Sequence, residues 1–153
     1  MCKIIISSFT LYLLTSFCIL NLLGMPSDLW SAGCIIAELY MGQLLFATHD
    51  NAEHLALMES CVGPFPMYML QHSASFSICR SIFDLHKGWH RRSQVLSNES
   101  MAHVRNMLPL ERFIRDRNLA NLLRGLLVID PNLRLIARDA LKNPFCHHPR
   151  DLY

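Results

Sequence analysis

The sequence predicts an all-α protein with an apolar N-terminal helix or extension, and three observations carry that expectation. Leu119, Leu122, Leu123, Leu126 and Leu127 recur at three- and four-residue intervals, which lines five leucines along one side of a helix. The run DLWSAGCIIAELYM, Asp28 to Met41, carries charges only at Asp28 and Glu38 and has no break until Gly42. Finally, no stretch alternates apolar and polar residues with the period of two that a half-buried strand requires, and no internal repeat appears.

The first element is MCKIIISSFTLYLLTSFCILNLLG, residues 1–24, with Lys3 as its one charge. Ile4 to Leu23 is about the length needed to cross a bilayer, and a basic residue ahead of an apolar run also opens a signal peptide. Asn21-Leu22-Leu23-Gly24 is a poor cleavage site. Three readings stand side by side: a membrane or secretory segment, buried core, or a stretch foreign to the ancestral domain. In a secreted chain, Asn98-Glu99-Ser100 would accept a glycan.

Asp28 to Met41 follows as a helix apolar enough that most of its circumference is expected to be buried. A loop through Thr48-His49-Asp50 leads to EHLALMESCVGP, residues 53–64. There Leu55, Met58 and Val62 form an apolar stripe, Glu53 and Glu59 take other faces, and Gly63-Pro64 stops the helix. This reads as a surface helix docking one face. Residues 64–107 read as irregular and polar. Apolar spacing returns from Leu110 to Ile114 and from Leu119 to Val128, where Asp130-Pro131 is expected to end the helix because proline disfavours helical backbone at the residue before it. A last helix over about Ala137 to Lys142 stops before Asn143-Pro144.

Composition excludes several function classes. In 153 residues, 52% are hydrophobic and 17% charged, much of the excess lying in residues 1–24, and the net charge of +2 is too small for electrostatic capture of nucleic acid. The basic cluster His90-Arg91-Arg92 is isolated and reads as a solvated loop. Six cysteines, at 2, 18, 34, 61, 79 and 146, contain no C-x-x-C pair and no disulfide spacing, which favours a reducing compartment.

Several segments together resemble the C-terminal lobe of a eukaryotic protein kinase. Asp28-x-Trp30-Ser31-x-Gly33-Cys34 is similar to the opening of that lobe's central helix. Asp130-Pro131-x-x-Arg134 followed by Ala140-Leu141-x-x-Pro144-Phe145 is similar to its closing motif. Between them, Glu53-His54-Leu55-Ala56-x-Met58-Glu59-x-x-x-Gly63-Pro64 resembles the signature of the LAMMER, or CDC-like, dual-specificity kinases, departing at Leu57 and Ser60. Ser97-Asn98-Glu99-Ser100-Met101-x-x-Val104 and Leu122-Leu123-x-Gly125-Leu126-Leu127 fit the plant-type members. The resemblance implies a partial kinase domain over 25–148, truncated, with a tail at 149–153. It also implies structural roles: Asp28 accepting backbone N–H bonds from a catalytic loop, Ile35 and Leu39 supporting an apolar column beneath the adenine ring, and Arg134 pairing with a buried glutamate. Plain core packing accounts equally well for Ile35 and Leu39.

The family's chemistry needs a glycine-rich loop, a strand lysine, a catalytic aspartate and asparagine, and a metal-binding aspartate. The six scattered glycines provide no G-x-G-x-x-G, and no V-A-I-K-like lysine appears. Arg115-Asp116-x-x-x-x-Asn121 has catalytic-loop spacing but lies after the central helix that such a loop must precede. Asp116 therefore reads as a helix cap or solvated residue. Asp84-Leu85-His86 lacks the glycine of D-F-G. His86 and His90 stand four apart with Gly88 between them and no second ligand pair, and Cys61 and Cys79 read as structural or incidental thiols. No catalytic, cofactor or metal residue is assigned: ATP and magnesium belong to the full-length family rather than to this chain.

Two departures weaken the lobe. With no acidic residue in 1–27, Arg134 is expected to be unpaired or exposed, and breaking such a pair costs about 3–5 kcal/mol. The last helix has Ile136 and Asp139 where the family has a Thr-x-x-Glu capping box, a loss of about 1 kcal/mol. The reading is a truncated LAMMER-type kinase that does not transfer phosphate by itself. The alternatives are a non-catalytic interaction module and a small membrane-associated helical protein. By family resemblance the partners are protein substrates or scaffolds, splicing factors among them, with no direct nucleic acid and a membrane contact only through residues 1–24. The implied compartment is nucleus or cytoplasm, with a membrane or secretory route as the alternative.

Overall fold

The computed structural model describes residues 25–48, 50–71 and 96–147. Residues 1–24, the tail, His90-Arg91-Arg92, Asp84, His86 and Cys79 lie outside the described residues. The described chain forms α1 (Met25–Met41), α2 (Asn51–Val62), α3 (Met67–Gln71), α4 (Asn98–Asn106), α5 (Leu110–Phe113), α6 (Arg117–Leu126), α7 (Ala137–Ala140) and α8 (Pro144–His147), with no strand among them.

Helix α1 starts earlier than its apolar run, with Pro26 and Asp28 in the first turn, where a missing N–H and a negative charge are both favourable. Trp30, Gly33, Cys34, Ala37 and Glu38 are buried, with the Gly33 side packed on α6 and Glu38 accepting from Leu45 N at 3.2 Å. Gly33 makes that approach possible: a Cβ there would lie 2.9 Å from Leu127 Cδ2. The expectation of burial around most of α1 is not met. Its opposite face is open, with Leu39 69% exposed.

Helix α2 departs from its expectation in the other direction. Every residue from Ala52 to Met58 is buried, Leu57 completely, while Val62 is only partly covered. The physical reason is α4, which covers the side that a surface helix turns to water. Asp50 caps α2 by accepting from Glu53 N at 2.7 Å. Gly63, at φ +111°, ends it in a conformation that side chains disfavour.

The stretch read as irregular contains α3 and α4, the latter capped by Ser97, whose hydroxyl accepts from Ser100 N at 3.1 Å. Helix α6 ends at Leu126, ahead of Asp130-Pro131. The returning chain takes the carbonyls there: Leu135 N donates to Gly125 O at 2.9 Å, and Arg134 reaches Val128 O and Ile129 O. Helix α7 is one turn long with no side-chain cap at Ile136, and Pro144 opens α8 rather than only following a stop. The main core joins α1, α2, α4 and α6. A smaller cluster of Leu122, Leu126 and Ala140 holds α7 against α6.

Candidate functional site

Two polar constellations stand out against this apolar frame. The first joins α2 to α4. Glu53, buried at the start of α2, accepts from Ser100 Oγ at 2.8 Å and shares a 2.6 Å hydrogen bond with His103 Nδ1. Ser100 and His103 are one turn apart, so α4 presents both to one carboxylate. Burial alone would raise the Glu53 carboxyl, but hydrogen bonds from His103, Ser100 and Thr48 outweigh it and hold the group below its ordinary value. Next to it His54 is buried against Phe46, ring centroids 5.7 Å apart, and its Nε2 has no partner among the described residues. Burial pushes its imidazole down to about 4, so it is neutral at neutral pH. Glu59 closes the other end of the helix by accepting from Phe65 N at 3.1 Å.

The second constellation is the seat of Arg134. In place of a carboxylate, the guanidinium donates to three carbonyls: Val128 O at 2.9 Å, Ile129 O at 3.0 Å, and Pro26 O. It also lies 5.1 Å from the centroid of the Trp30 ring, a cation–π arrangement. The arginine is therefore half-buried and hydrogen-bonded rather than unpaired or exposed. Burial lowers it to about 10, opposed by the Asp130 charge, and it remains protonated at neutral pH.

The other residues singled out in the sequence are distributed around these two. Leu55, Ala56 and Met58 are core; Gly63 and Pro64 form the turn after α2; Trp30 and Gly33 lie in the α1–α6 interface. Asp28 is exposed, Ile35 partly buried and Leu39 exposed, so these three line the open side of α1. Sequence reasoning missed the roles of Ser100 and His103. Their three-residue spacing behind a capping serine is a signal for one helix face, but nothing local names the carboxylate 47 and 50 residues away.

Asp116 caps α6, accepting from Leu119 N at 2.8 Å, and its carboxylate is committed to that bond as the sequence predicts. A shallow cleft lies beside α2, α5 and α6, lined by Glu59, Cys61, Glu111 and Arg124 among others. Its charged groups are engaged: Arg124 donates to Glu111 through Nε at 3.0 Å and Nη2 at 2.8 Å. Burial pushes the Cys61 thiol up to about 12, far from the thiolate that nucleophilic chemistry needs. Among the described residues no group of three His, Cys, Asp or Glu side chains could hold a metal ion.

Comparison with known proteins gives this geometry a context. A family model described as a protein kinase domain matches residues 20–146. The chain is similar to the serine/threonine-protein kinase AFC2 of Arabidopsis thaliana, 40% identical over 124 residues, covering 78% of this chain and 29% of that protein. It is also similar to the human dual specificity protein kinase CLK1, 36% identical over 128 residues, covering 78% of this chain and 24% of the relative. The crystal structure of a kinase domain superposes with a TM-score of 0.72 at 38% identity, over 79% of this chain and 36% of that one. The chain thus spans less than a third of the length of these curated relatives.

Proposed function

Because the chain belongs to the protein kinase family, in its LAMMER (CDC-like) branch, and its described helices are those of the C-terminal lobe, we propose that it serves as the helical platform of such a kinase. The activity of the family is ATP-dependent phosphorylation of proteins on serine and threonine, with dual specificity in the branch, and magnesium and ATP act in its full-length members. The 153-residue chain by itself does not transfer phosphate. The observation that carries this is Asp116: the one R-D-x-x-x-x-N match has its carboxylate on Leu119 N, at the start of a helix that packs on the central helix α1. By family analogy the partners are protein substrates or scaffolds, with splicing factors as the first candidates, and the compartment is nucleus or cytoplasm.

The test is direct. Purified 153-residue chain incubated with labelled ATP, magnesium and a basic serine-rich peptide should show no label above a protein-free control. Transfer that Asp116→Ala abolishes and Asp116→Ser, which keeps the cap, does not restore would overturn the reading.

The runner-up is a non-catalytic interaction module. It draws support from the Glu53–Ser100–His103 lock, which ties α2 to α4 through two hydrogen bonds. Retention of one protein partner from nuclear extract, lost in Glu53→Ala and kept in Asp116→Ala, would favour it.

A further inference from the structure

Helix α4 carries one ring nitrogen that the described fold leaves unused. His103 meets the Glu53 carboxylate through Nδ1 at 2.6 Å, and the second carboxylate oxygen accepts from Ser100 Oγ at 2.8 Å. Because the Glu53 carboxyl is held below its ordinary value, it is ionised and can only accept, so the hydrogen in the bond to Nδ1 is the imidazole's. A neutral imidazole with its hydrogen on Nδ1 has a bare Nε2, and the carboxylate thereby fixes the tautomer. The His103 side chain is 43% exposed, and its Nε2 has no partner among the described residues. The ring borders a cleft of about 230 Å³ where α4 meets α5 and the end of α1. Met41, Leu45, Met107 and Phe113 give this cleft apolar walls, while the exposed Gln43 and Asn106 bring amides to its rim.

We propose that this cleft binds a tyrosine side chain of a protein partner, its ring against the apolar walls and its hydroxyl donating to His103 Nε2. The walls and the free acceptor select that side chain together. Two thioethers and a phenyl ring favour an aromatic occupant, and tyrosine is the one whose hydrogen-bond donor stands at the tip of a ring. Phenylalanine would fill the same walls but would strip water from Nε2 without replacing its hydrogen bond. Serine and threonine bring a donor and no ring, and lysine brings a donor at the cost of burying a charge among apolar groups. The rim amides of Gln43 and Asn106 are placed to pair with peptide backbone on either side of the tyrosine, which a free phenol lacks. The inference goes beyond the platform reading and holds whether or not the chain transfers phosphate.

The test uses the full chain with isotope-labelled methionine methyls at pH 8, where an imidazole is ordinarily neutral. The end-blocked peptide Ala-Ala-Tyr-Ala-Ala should shift the Met41 and Met107 methyl signals in a saturable titration. Its phenylalanine counterpart should bind about tenfold more weakly, the worth of one hydrogen bond. The phosphotyrosine form, which has no hydrogen to donate and carries nearly two negative charges, should not bind. In His103→Leu the tyrosine and phenylalanine peptides should become equal. Unmoved methionine signals, or equal binding of the two peptides to the unaltered chain, overturn the proposal without reliance on any variant. So do a tyrosine preference that survives in His103→Leu and tighter binding of the phosphotyrosine form or of a tryptophan counterpart. Para-cresol that binds as tightly as the tyrosine peptide would place a free phenol in the cleft and overturn the assignment to a protein partner.

Discussion

Helices α1 and α2 exchange the roles their sequences suggest. The more apolar α1 leaves one side open, while α2, with glutamates in its first and last turns and a histidine beside the first of them, is buried around its first two turns. The difference lies in neighbours. Helix α1 is covered by α6 on one side, whereas α2 lies between the core and α4, whose Ser100 and His103 satisfy the Glu53 carboxylate that burial would otherwise penalise. A helix's own periodicity reports the polarity of its faces; how many of them are covered depends on segments far away in the chain.

The strongest way to break this comparison is to cut into α2. Leu57→Ala should destabilise the fold by about 2–5 kcal/mol, measured as a shifted urea midpoint, because its site is closed on all sides. A cost below about 1 kcal/mol would mean that α2 is a surface helix after all.

The second way uses pH. His54 is lowered to about 4 in the fold from 6.5, so the unfolded chain binds its proton first. Its contribution is fully present above pH 6.5 and is lost as pH falls through 4, on the order of 3 kcal/mol. Glu53, also lowered, loses its contribution as pH falls below its ordinary value, so the two effects add in acid. Urea titrations between pH 7 and pH 4 should show this decline, and His54→Leu should remove the part above pH 4.5.

A smaller effect sharpens the account of the α2–α4 lock. A double-mutant cycle of Glu53→Gln and His103→Ala should give a coupling of about 0.5–3 kcal/mol, and additive losses would show that the 2.6 Å contact contributes nothing. The smallest is a gain: Ile136→Thr should restore a cap to α7 and stabilise the protein by about 1 kcal/mol, seen as a raised thermal midpoint.

What was legible in the sequence was what adjacent residues decide. The leucine stripe of α6, the cap at Asp116, the missing cap at Ile136 and the stop at Gly63 all rest on interactions within about one helical turn. The signature around Glu53-His54 and the motif ending at Arg134 were legible as a resemblance, and the family match agrees with it. What escaped depends on distance along the chain. The carbonyls that replace a carboxylate at Arg134, the serine and histidine on Glu53, and the open side of α1 are set by partners contributed from other elements. Helix α4 escaped for a local reason: its nine residues, NESMAHVRN, bury only Val104, too little for an apolar period to emerge.

The bond from Arg134 to Pro26 spans 108 residues, and α1 meets its main partner α6 only about 90 residues after its own start. On a ribosome adding 5–20 residues per second, roughly 5–20 s pass between the synthesis of α1 and that of the helix that covers it. For that interval the side of α1 around Gly33 lacks the Leu126 and Leu127 side chains that cover it in the fold.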